Sequence, residues 1–108
     1  MPTPIIVNGA AGRMGRRLLV LASERPADFR IIAGVDQRPG TLRDLGVAVD
    51  GPVLAQIPAE RGAVVIDFSH HSAFAGIATR CAANGMALIS GTTGIQPVKS
   101  NWANPIDE

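Results

Sequence analysis

The chain has 108 residues, of which 46% are hydrophobic and 18% charged, and its formal net charge at pH 7 is +1. This length and composition predict one globular domain with a core of its own. The balanced charge argues against a nucleic-acid partner, and the single cysteine excludes an internal disulfide. No segment approaches the roughly 20 apolar residues that span a bilayer. We therefore expect a cytoplasmic protein with no membrane partner.

The first half of the chain predicts a strand, a turn, a helix and a second strand. PIIVN, at residues 4–8, is a short β-branched run without polar alternation, as in a strand buried on both faces. Three glycines follow, and from Met14 through RRLLVLASE apolar residues recur at helical spacing: Met14, Leu18, Leu21 and Ala22. RIIAGVD, which begins near Arg30 and ends at Asp36, is the second buried strand.

The second half repeats this alternation. AVVIDFS (63–69) and MALIS (86–90) are strand candidates, and HSAFAGIATRCAANG between them is a helix candidate. The apolar stripe that we expect on this helix consists of Ala75, Ala78, Cys81 and Ala82. Buried strands that alternate with helices predict an α/β fold, an open parallel sheet with helices on both faces, in a single domain.

The segment between the two halves leaves two interpretations open. Residues 41–62, TLRDLGVAVDGPVLAQIPAERG, are compatible with a short helix and one strand, or with a hairpin that turns at Asp50 and Gly51.

The glycines after the first strand predict a phosphate-binding loop. Gly9, Gly12 and Gly15 form GxxGxxG, a variant of the GxGxxG loop of Rossmann-like dinucleotide-binding domains. We expect Gly9 to permit the tight turn, Gly12 to let a pyrophosphate approach, and Gly15 to let the helix pack closely on the strand. A P-loop is excluded, because arginines stand where that motif needs lysine and a hydroxyl residue.

Three arginines, Arg13, Arg16 and Arg17, lie in the first turns of the predicted helix. Their charge has the wrong sign for a helix N-terminus, and a bound phosphate would compensate for it. The alternative is that they only face water.

Asp36 ends the second strand 21 residues after Gly15. A dinucleotide site needs a carboxylate at about this spacing, to accept hydrogen bonds from the adenosine ribose. The alternative is an ordinary aspartate that starts a turn. Arg38 is placed to meet a 2′-phosphate, so NADH and NADPH both remain possible, and we expect a mixed preference.

Two later loops follow buried strands and are therefore expected at the same carboxyl edge of the sheet, where ligands bind. They are DFSHHSAF (67–74) and SGTTG (90–94). Together, GAAGRMG, the aspartate at the end of the second strand, DFS and GTTG resemble the nucleotide-binding domain of the dihydrodipicolinate reductase (4-hydroxy-tetrahydrodipicolinate reductase) family. The resemblance extends from residue 4 to about residue 95.

The resemblance implies an NADH- or NADPH-dependent oxidoreductase of lysine (diaminopimelate) biosynthesis. Its nicotinamide would transfer a hydride to 4-hydroxy-tetrahydrodipicolinate, a small cyclic dicarboxylate. By matched position, it implies a pyrophosphate site formed by Gly9, Gly12, Arg13 and Met14. Asp36 would hold the ribose, and Phe68 and Ser69 would lie near the nicotinamide. The nicotinamide and the substrate entrance would be lined by Gly91, Thr92 and Thr93.

The family's substrate domain follows GTTG, and its paired histidine and lysine acid are not among these 108 residues. We therefore expect a dinucleotide-binding domain at residues 1–95, a tail or the stump of a missing substrate domain at residues 96–108, and no catalytic residue within the chain. Such a chain binds the nicotinamide dinucleotide but is incomplete for turnover, and binds the dicarboxylate only if a substrate domain is present.

Two alternatives remain open. One is a non-catalytic nucleotide-binding or regulatory module that has lost its substrate domain, and the other is a different two-domain oxidoreductase. The absence of tyrosine excludes the short-chain dehydrogenases, which need a Tyr-x-x-x-Lys acid. His70 and His71 are adjacent at a predicted helix start, so they cannot chelate one metal together, and no metal site is expected. Cys81 is expected to be a small core residue.

Overall fold

The computed structural model of the protein describes residues 2–68 and 74–90. Within this part of the chain there are six strands, two α-helices and one short 3₁₀ helix, Arg43–Leu45. The strands are β1 (Thr3–Asn8), β2 (Phe29–Val35), β3 (Gly40–Thr41), β4 (Pro52–Leu54), β5 (Val64–Asp67) and β6 (Ala87–Ser90). The helices are α1 (Arg13–Ser23) and α2 (Phe74–Ala83). None of the helices in the described ranges is long and apolar enough to cross a bilayer.

The six strands form one sheet in the order β3-β4-β2-β1-β5-β6. The central strand β1 pairs in parallel with β2 on one side and with β5 on the other. The pairs β2–β4 and β5–β6 are also parallel, whereas the short edge strand β3 is antiparallel to β4. The predicted open, mostly parallel α/β sheet is confirmed.

The core lies on both faces of this sheet, because successive side chains of a strand point to opposite faces. Ile5 and Val7 of β1 belong to the cluster that includes Leu19 of α1. Ile6, between them, belongs to a second cluster that includes Cys81 of α2. One helix therefore covers each face, and for this reason the central strands carry apolar side chains on both faces.

The buried face of α1 agrees with the predicted stripe at Ala22 and differs from it at Met14 and Leu21. The structure buries Gly15, Leu19 and Ala22, whereas Met14 and Leu21 are 56% and 48% exposed. The run LLVLA offers two overlapping helical stripes, and the stripe that includes Gly15 is the one that lets the helix approach the preceding loop.

The predicted stripe of α2 is also wrong in part. Cys81 is buried, at 1% exposure, as expected of a core residue. Ala75 and Ala82 are exposed, and Ala78 is half-buried. Ile77 packs against the same cluster as Cys81, because the larger aliphatic side chain buries more apolar area than the alanines do.

The segment at residues 41–62 combines features of both interpretations. It contains the 3₁₀ helix and β4, as the first interpretation requires. An antiparallel pair is also present, but it joins β4 to β3, with Gly40 opposite Val53, so its strands are not connected by a turn at Asp50 and Gly51. The N–H of Leu42 donates to the carbonyl of Gly51 (2.9 Å) and closes this connection.

Candidate functional site

The glycine loop lies between the carboxyl end of β1 and the start of α1. Gly9 has φ of 84°, in the left-handed region that glycine adopts without strain. The N–H groups of Gly9 and Ala10 both donate to the carbonyl oxygen of Val35, at 2.9 and 3.0 Å. These bonds fix the loop to the end of β2.

Gly15 allows α1 to approach this loop. A Cβ at Gly15 would collide with the carbonyl oxygen of Gly9 and would lie 3.1 Å from the Cα of Ala10. A Cβ at Gly12, by contrast, would stay 3.4 Å from the Gly9 oxygen. Gly15 thus lets α1 pack closely on the loop, as expected. Gly12 is exposed, so the outer side of the loop is open to a ligand.

The N-terminus of α1 carries positive charge, and the helix has no acidic residue of its own there. Its first turn contains no acidic residue, and Gly12 at the N-cap provides no side-chain hydrogen bond. Arg13, Arg16 and Arg17 are exposed. The ion pairs of the described residues join Arg25 to Asp28 and Arg43 to Asp50. The helix dipole and three arginines therefore make this end of α1 attractive to an anion.

Asp36 follows β2 directly and is connected to the glycine loop. Its Oδ2 accepts a hydrogen bond from the N–H of Ala11 (2.9 Å), and its Oδ1 accepts one from the N–H of Gln37 (2.8 Å). The carboxylate is half-buried. It retains lone pairs that can accept further hydrogen bonds, because each carboxylate oxygen has two.

The remaining predicted site residues are not brought together in one place. Met14 is on the exposed side of α1, next to Arg13. Arg38 is exposed beyond the end of β2. Phe68, directly after β5, packs against the cluster on the α1 face, and its N–H donates to the carbonyl of Asn8 (2.9 Å). Predicted site residues outside the described ranges are Ser69, Gly91, Thr92 and Thr93.

A pair of polar residues at this edge, one half-buried and one fully buried, was not predicted from the sequence. Asn8 and Asp67 occupy paired positions at the carboxyl ends of β1 and β5. The Nδ2 of Asn8 donates to Oδ1 of Asp67 (3.0 Å), and Asp67 is 0% exposed. The sequence signal was a polar residue after each apolar run, but the pairing requires knowledge of the strand order.

Asp67 also influences Cys81. Burial raises the pKa of the Cys81 thiol above its ordinary value, and the charge of Asp67 raises it further, while Arg80 acts in the opposite direction. A buried thiol with a raised pKa is a poor nucleophile, which agrees with a core role.

A cleft of about 400 Å³ opens at the same edge, between α2 and the segment after β4. Its lining is partly apolar and partly polar: Asn8, Val35, Ala55, Gln56, Ile57, Gly76, Ile77 and Arg80. The Nε of Arg80 donates to the carbonyl of Ile57 (2.6 Å) and joins the two walls. Val35, which lines the cleft, directly precedes Asp36 in the chain.

Comparison with known proteins identifies relatives of this domain. The family described as "Dihydrodipicolinate reductase, N-terminus" matches residues 3–104. The 4-hydroxy-tetrahydrodipicolinate reductase of Stenotrophomonas maltophilia (strain R551-3) is 41% identical over 98 residues, which cover 87% of this chain and 39% of the relative. The protein of the same name from Methanoculleus marisnigri is 37% identical over 93 residues, covering 86% of this chain and 36% of the relative. The chain spans about two fifths of the length of these relatives.

Proposed function

Because the chain belongs to the dihydrodipicolinate reductase family, through the N-terminal domain of that family, we propose that it binds NADH or NADPH at the carboxyl edge of its sheet. The observation that carries this proposal is the connection between Asp36 and the glycine loop. The hydrogen bond from the Ala11 N–H to Asp36 supports it, because this bond holds a carboxylate, a group that accepts hydrogen bonds from ribose hydroxyls, beside a helix N-terminus that attracts anions. A dinucleotide presents these two groups, a ribose and a pyrophosphate, next to each other.

The pyrophosphate fits the N-terminus of α1. The first N–H groups of a helix have no partner within the helix, and the intrahelical bonds of α1 begin with the N–H of Arg16, which donates to the carbonyl of Gly12 (2.9 Å). Arg13 is the first residue of the helix and adds a guanidinium, which suits phosphate oxygens. Gly12 and Met14 would form the rest of this surface.

The adenosine half is placed on the β2 side. Asp36 would accept hydrogen bonds from the ribose, and the cleft beyond Val35 offers apolar walls to the adenine ring, with polar groups at its rim. The nicotinamide would extend the other way, towards Phe68 after β5. We keep Ser69, Gly91, Thr92 and Thr93 as further proposed contacts of the nicotinamide half.

The chemistry of the bound cofactor is hydride transfer, and we propose 4-hydroxy-tetrahydrodipicolinate as the acceptor by analogy with the names of the relatives. The residues of this chain bind and orient the dinucleotide. None of them is assigned a proton transfer to the substrate, so turnover would depend on a substrate-binding part such as the remaining three fifths of the relatives.

A fluorescence titration of the 108-residue chain with NADH tests the proposal. Saturable binding is expected. Arg13→Gln should weaken it about tenfold, equivalent to about 1.4 kcal/mol, because it removes a charged donor at the pyrophosphate. Arg25→Gln is the matched control: it removes the same charge beyond the opposite end of α1, and binding should change less than twofold.

Two results would contradict the proposal. One is the absence of saturable binding of either cofactor by a chain that unfolds cooperatively. The other is an equal loss in both arginine variants, which would indicate attraction by net charge rather than a site at the start of α1.

A further inference from the structure

Three polar residues form a row across the carboxyl ends of neighbouring strands. Asn8, Asp67 and Ser90 are the last residues of β1, β5 and β6, and they occupy paired positions in the two parallel ladders. Val65, two positions before Asp67, belongs to the cluster on the α2 face. Because every second residue of a strand points to the same face, this polar row lies on the α2 face too.

Asp67 is the centre of the polar row and is fully buried, at 0% exposure. Its Oδ1 accepts a hydrogen bond from the Nδ2 of Asn8 (3.0 Å). The backbone adds a second connection one residue later, because the N–H of Phe68 donates to the carbonyl oxygen of Asn8 (2.9 Å). Two hydrogen bonds therefore join the end of β5, and the residue after it, to the end of β1.

A buried carboxyl group is not needed to hold two strands together. Its removal from water costs free energy that an apolar side chain would not lose. Replacing both partners of a buried hydrogen bond by apolar groups of the same shape can leave stability nearly unchanged. A hydrogen bond is directional, however, whereas the hydrophobic effect is not. The pair of Asn8 and Asp67 therefore fixes the relative position of the two strand ends, which apolar side chains would do less well.

Both strand ends lead directly into the proposed dinucleotide site. The strand order reverses between β1 and β5, and in open α/β sheets ligands bind in the crevice at such a point. Gly9, directly after Asn8, begins the glycine loop and is held separately by its hydrogen bond to the carbonyl of Val35 (2.9 Å). Phe68, directly after Asp67, is the residue proposed to lie near the nicotinamide. The two bonds to Asn8 thus relate the position of Phe68 to that of the glycine loop.

We propose that Asp67 is a positioning residue for the nicotinamide half of the site, an inference that rests on the proposed function. Through its hydrogen bond with Asn8, it holds Phe68 in a fixed position relative to the glycine loop. Asp67 has no exposed surface, so it does not touch a ligand itself and acts through Phe68. The contacts proposed for the ribose of the adenosine half, at Asp36, lie on the other side of β1 and do not depend on this bond.

The test compares NADH with ADP-ribose, which keeps the adenosine and the pyrophosphate of NADH but lacks the nicotinamide. Isothermal titration calorimetry measures both affinities, and their ratio isolates the contribution of the nicotinamide. The unmodified chain should bind NADH about fivefold more tightly than ADP-ribose, which is equivalent to about 1 kcal/mol. Asp67→Ala removes the acceptor of the bond from Asn8 and should bring this ratio close to one.

Two further variants show whether the hydrogen bond is the cause. Asn8→Ala removes the donor and should lower the ratio in the same way, and it gives a result even if Asp67→Ala does not fold. Asp67→Asn retains a side-chain oxygen that can accept the bond from Asn8. The ratio of this conservative variant should therefore stay within about twofold of that of the unmodified chain.

Met86→Ala is the control for a loss of stability alone. Met86 is 6% exposed and directly precedes β6, at the amino edge of the sheet, opposite the proposed site. Its truncation leaves a cavity in the core, so the urea midpoint of unfolding should fall at least as far as in Asn8→Ala. The ratio of the NADH and ADP-ribose affinities should nevertheless stay within about twofold of that of the unmodified chain.

The possible failures are distinguishable. If neither ligand binds to the folded chain, the proposed function is wrong and the inference falls with it. If both ligands bind, three results would show that the dinucleotide site stands but that Asp67 does not position its nicotinamide half. They are equal affinities in the unmodified chain, an unchanged ratio in folded Asp67→Ala or Asn8→Ala, and an equal fall of the ratio in Asp67→Asn or Met86→Ala.

Discussion

Replacement of Gly15 by alanine tests the packing of α1 against the glycine loop. The added Cβ would overlap the carbonyl oxygen of Gly9 and lie 2.9 Å from its carbonyl carbon. These obstacles are backbone atoms, so no side-chain rotation relieves the contact. The helix has to move away from the loop, or the loop has to move away from the end of β2.

Two opposing contributions set the size of the effect. Overpacking in a close-packed site costs about 1–3 kcal/mol. Alanine in place of glycine within a helix contributes about 0.5–1 kcal/mol in the other direction. We expect Gly15→Ala to lower the free energy of unfolding by about 1–2 kcal/mol. For a domain of this size, each kcal/mol lost lowers the Tm by roughly 4–8 °C.

Gly76→Ala isolates the helix-propensity contribution. Gly76 lies within α2, is exposed, and a Cβ there has nothing within 4 Å among the described residues. This variant should gain about 0.5–1 kcal/mol, so the two glycine variants should differ by about 1.5–3 kcal/mol. Urea unfolding monitored by circular dichroism measures both.

An unchanged urea midpoint for Gly15→Ala, together with the expected stabilisation of Gly76→Ala, would contradict this prediction. That outcome would mean that α1 does not pack against Gly9 as closely as the structure shows. NADH titration gives a second measurement, because a displaced loop should also bind the cofactor less tightly.

Two further predictions concern Cys81 and the pair of Asn8 and Asp67. The raised pKa of Cys81 means that unfolding releases the thiol proton above about pH 8.5. The free energy of unfolding should therefore fall as the pH rises from there to the pKa of the thiol in the folded protein. Cys81→Ala should show a smaller fall in the urea midpoint over the same pH range, and identical pH profiles of the two proteins would contradict this prediction. Asn8→Ala removes a donor to the buried Asp67 and should cost about 1–3 kcal/mol, whereas Asn84→Ala, which removes an exposed hydrogen bond to Arg80, should cost less than half as much in the same unfolding assay.

The parts of the fold that follow from local sequence were predictable. An uninterrupted β-branched run followed by glycines predicts a buried strand, a turn and a helix, and the structure has β1, the loop and α1 in these places. The same reasoning found β2, β5, α2 and β6. The resemblance to the dihydrodipicolinate reductase family, drawn from three motifs and an aspartate, is confirmed by the family match.

Features that depend on tertiary contacts were harder to predict. The helical periodicity of LLVLA could not decide which stripe of α1 is buried, because that choice depends on the contact between Gly15 and Gly9. The pair of Asn8 and Asp67 joins residues 59 positions apart, and it exists only because β1 and β5 are neighbours in the sheet. The β3–β4 pair likewise depends on a contact across the 3₁₀ helix. The roles proposed for the predicted site residues remain predictions.

The position of β1 in the centre of the sheet affects how the chain folds while it is being translated. This strand pairs with β2, where Ile5 is opposite Ile31, and with β5, where the same residue is opposite Val64. It is apolar on both faces and cannot acquire its second neighbour until about 60 further residues have been translated. Such long-range parallel pairing is intrinsically slow and leaves apolar surface uncovered in the meantime. During synthesis the chain therefore passes through a stage at which β1, the strand that leads into the glycine loop, lacks one of its two neighbours in the sheet.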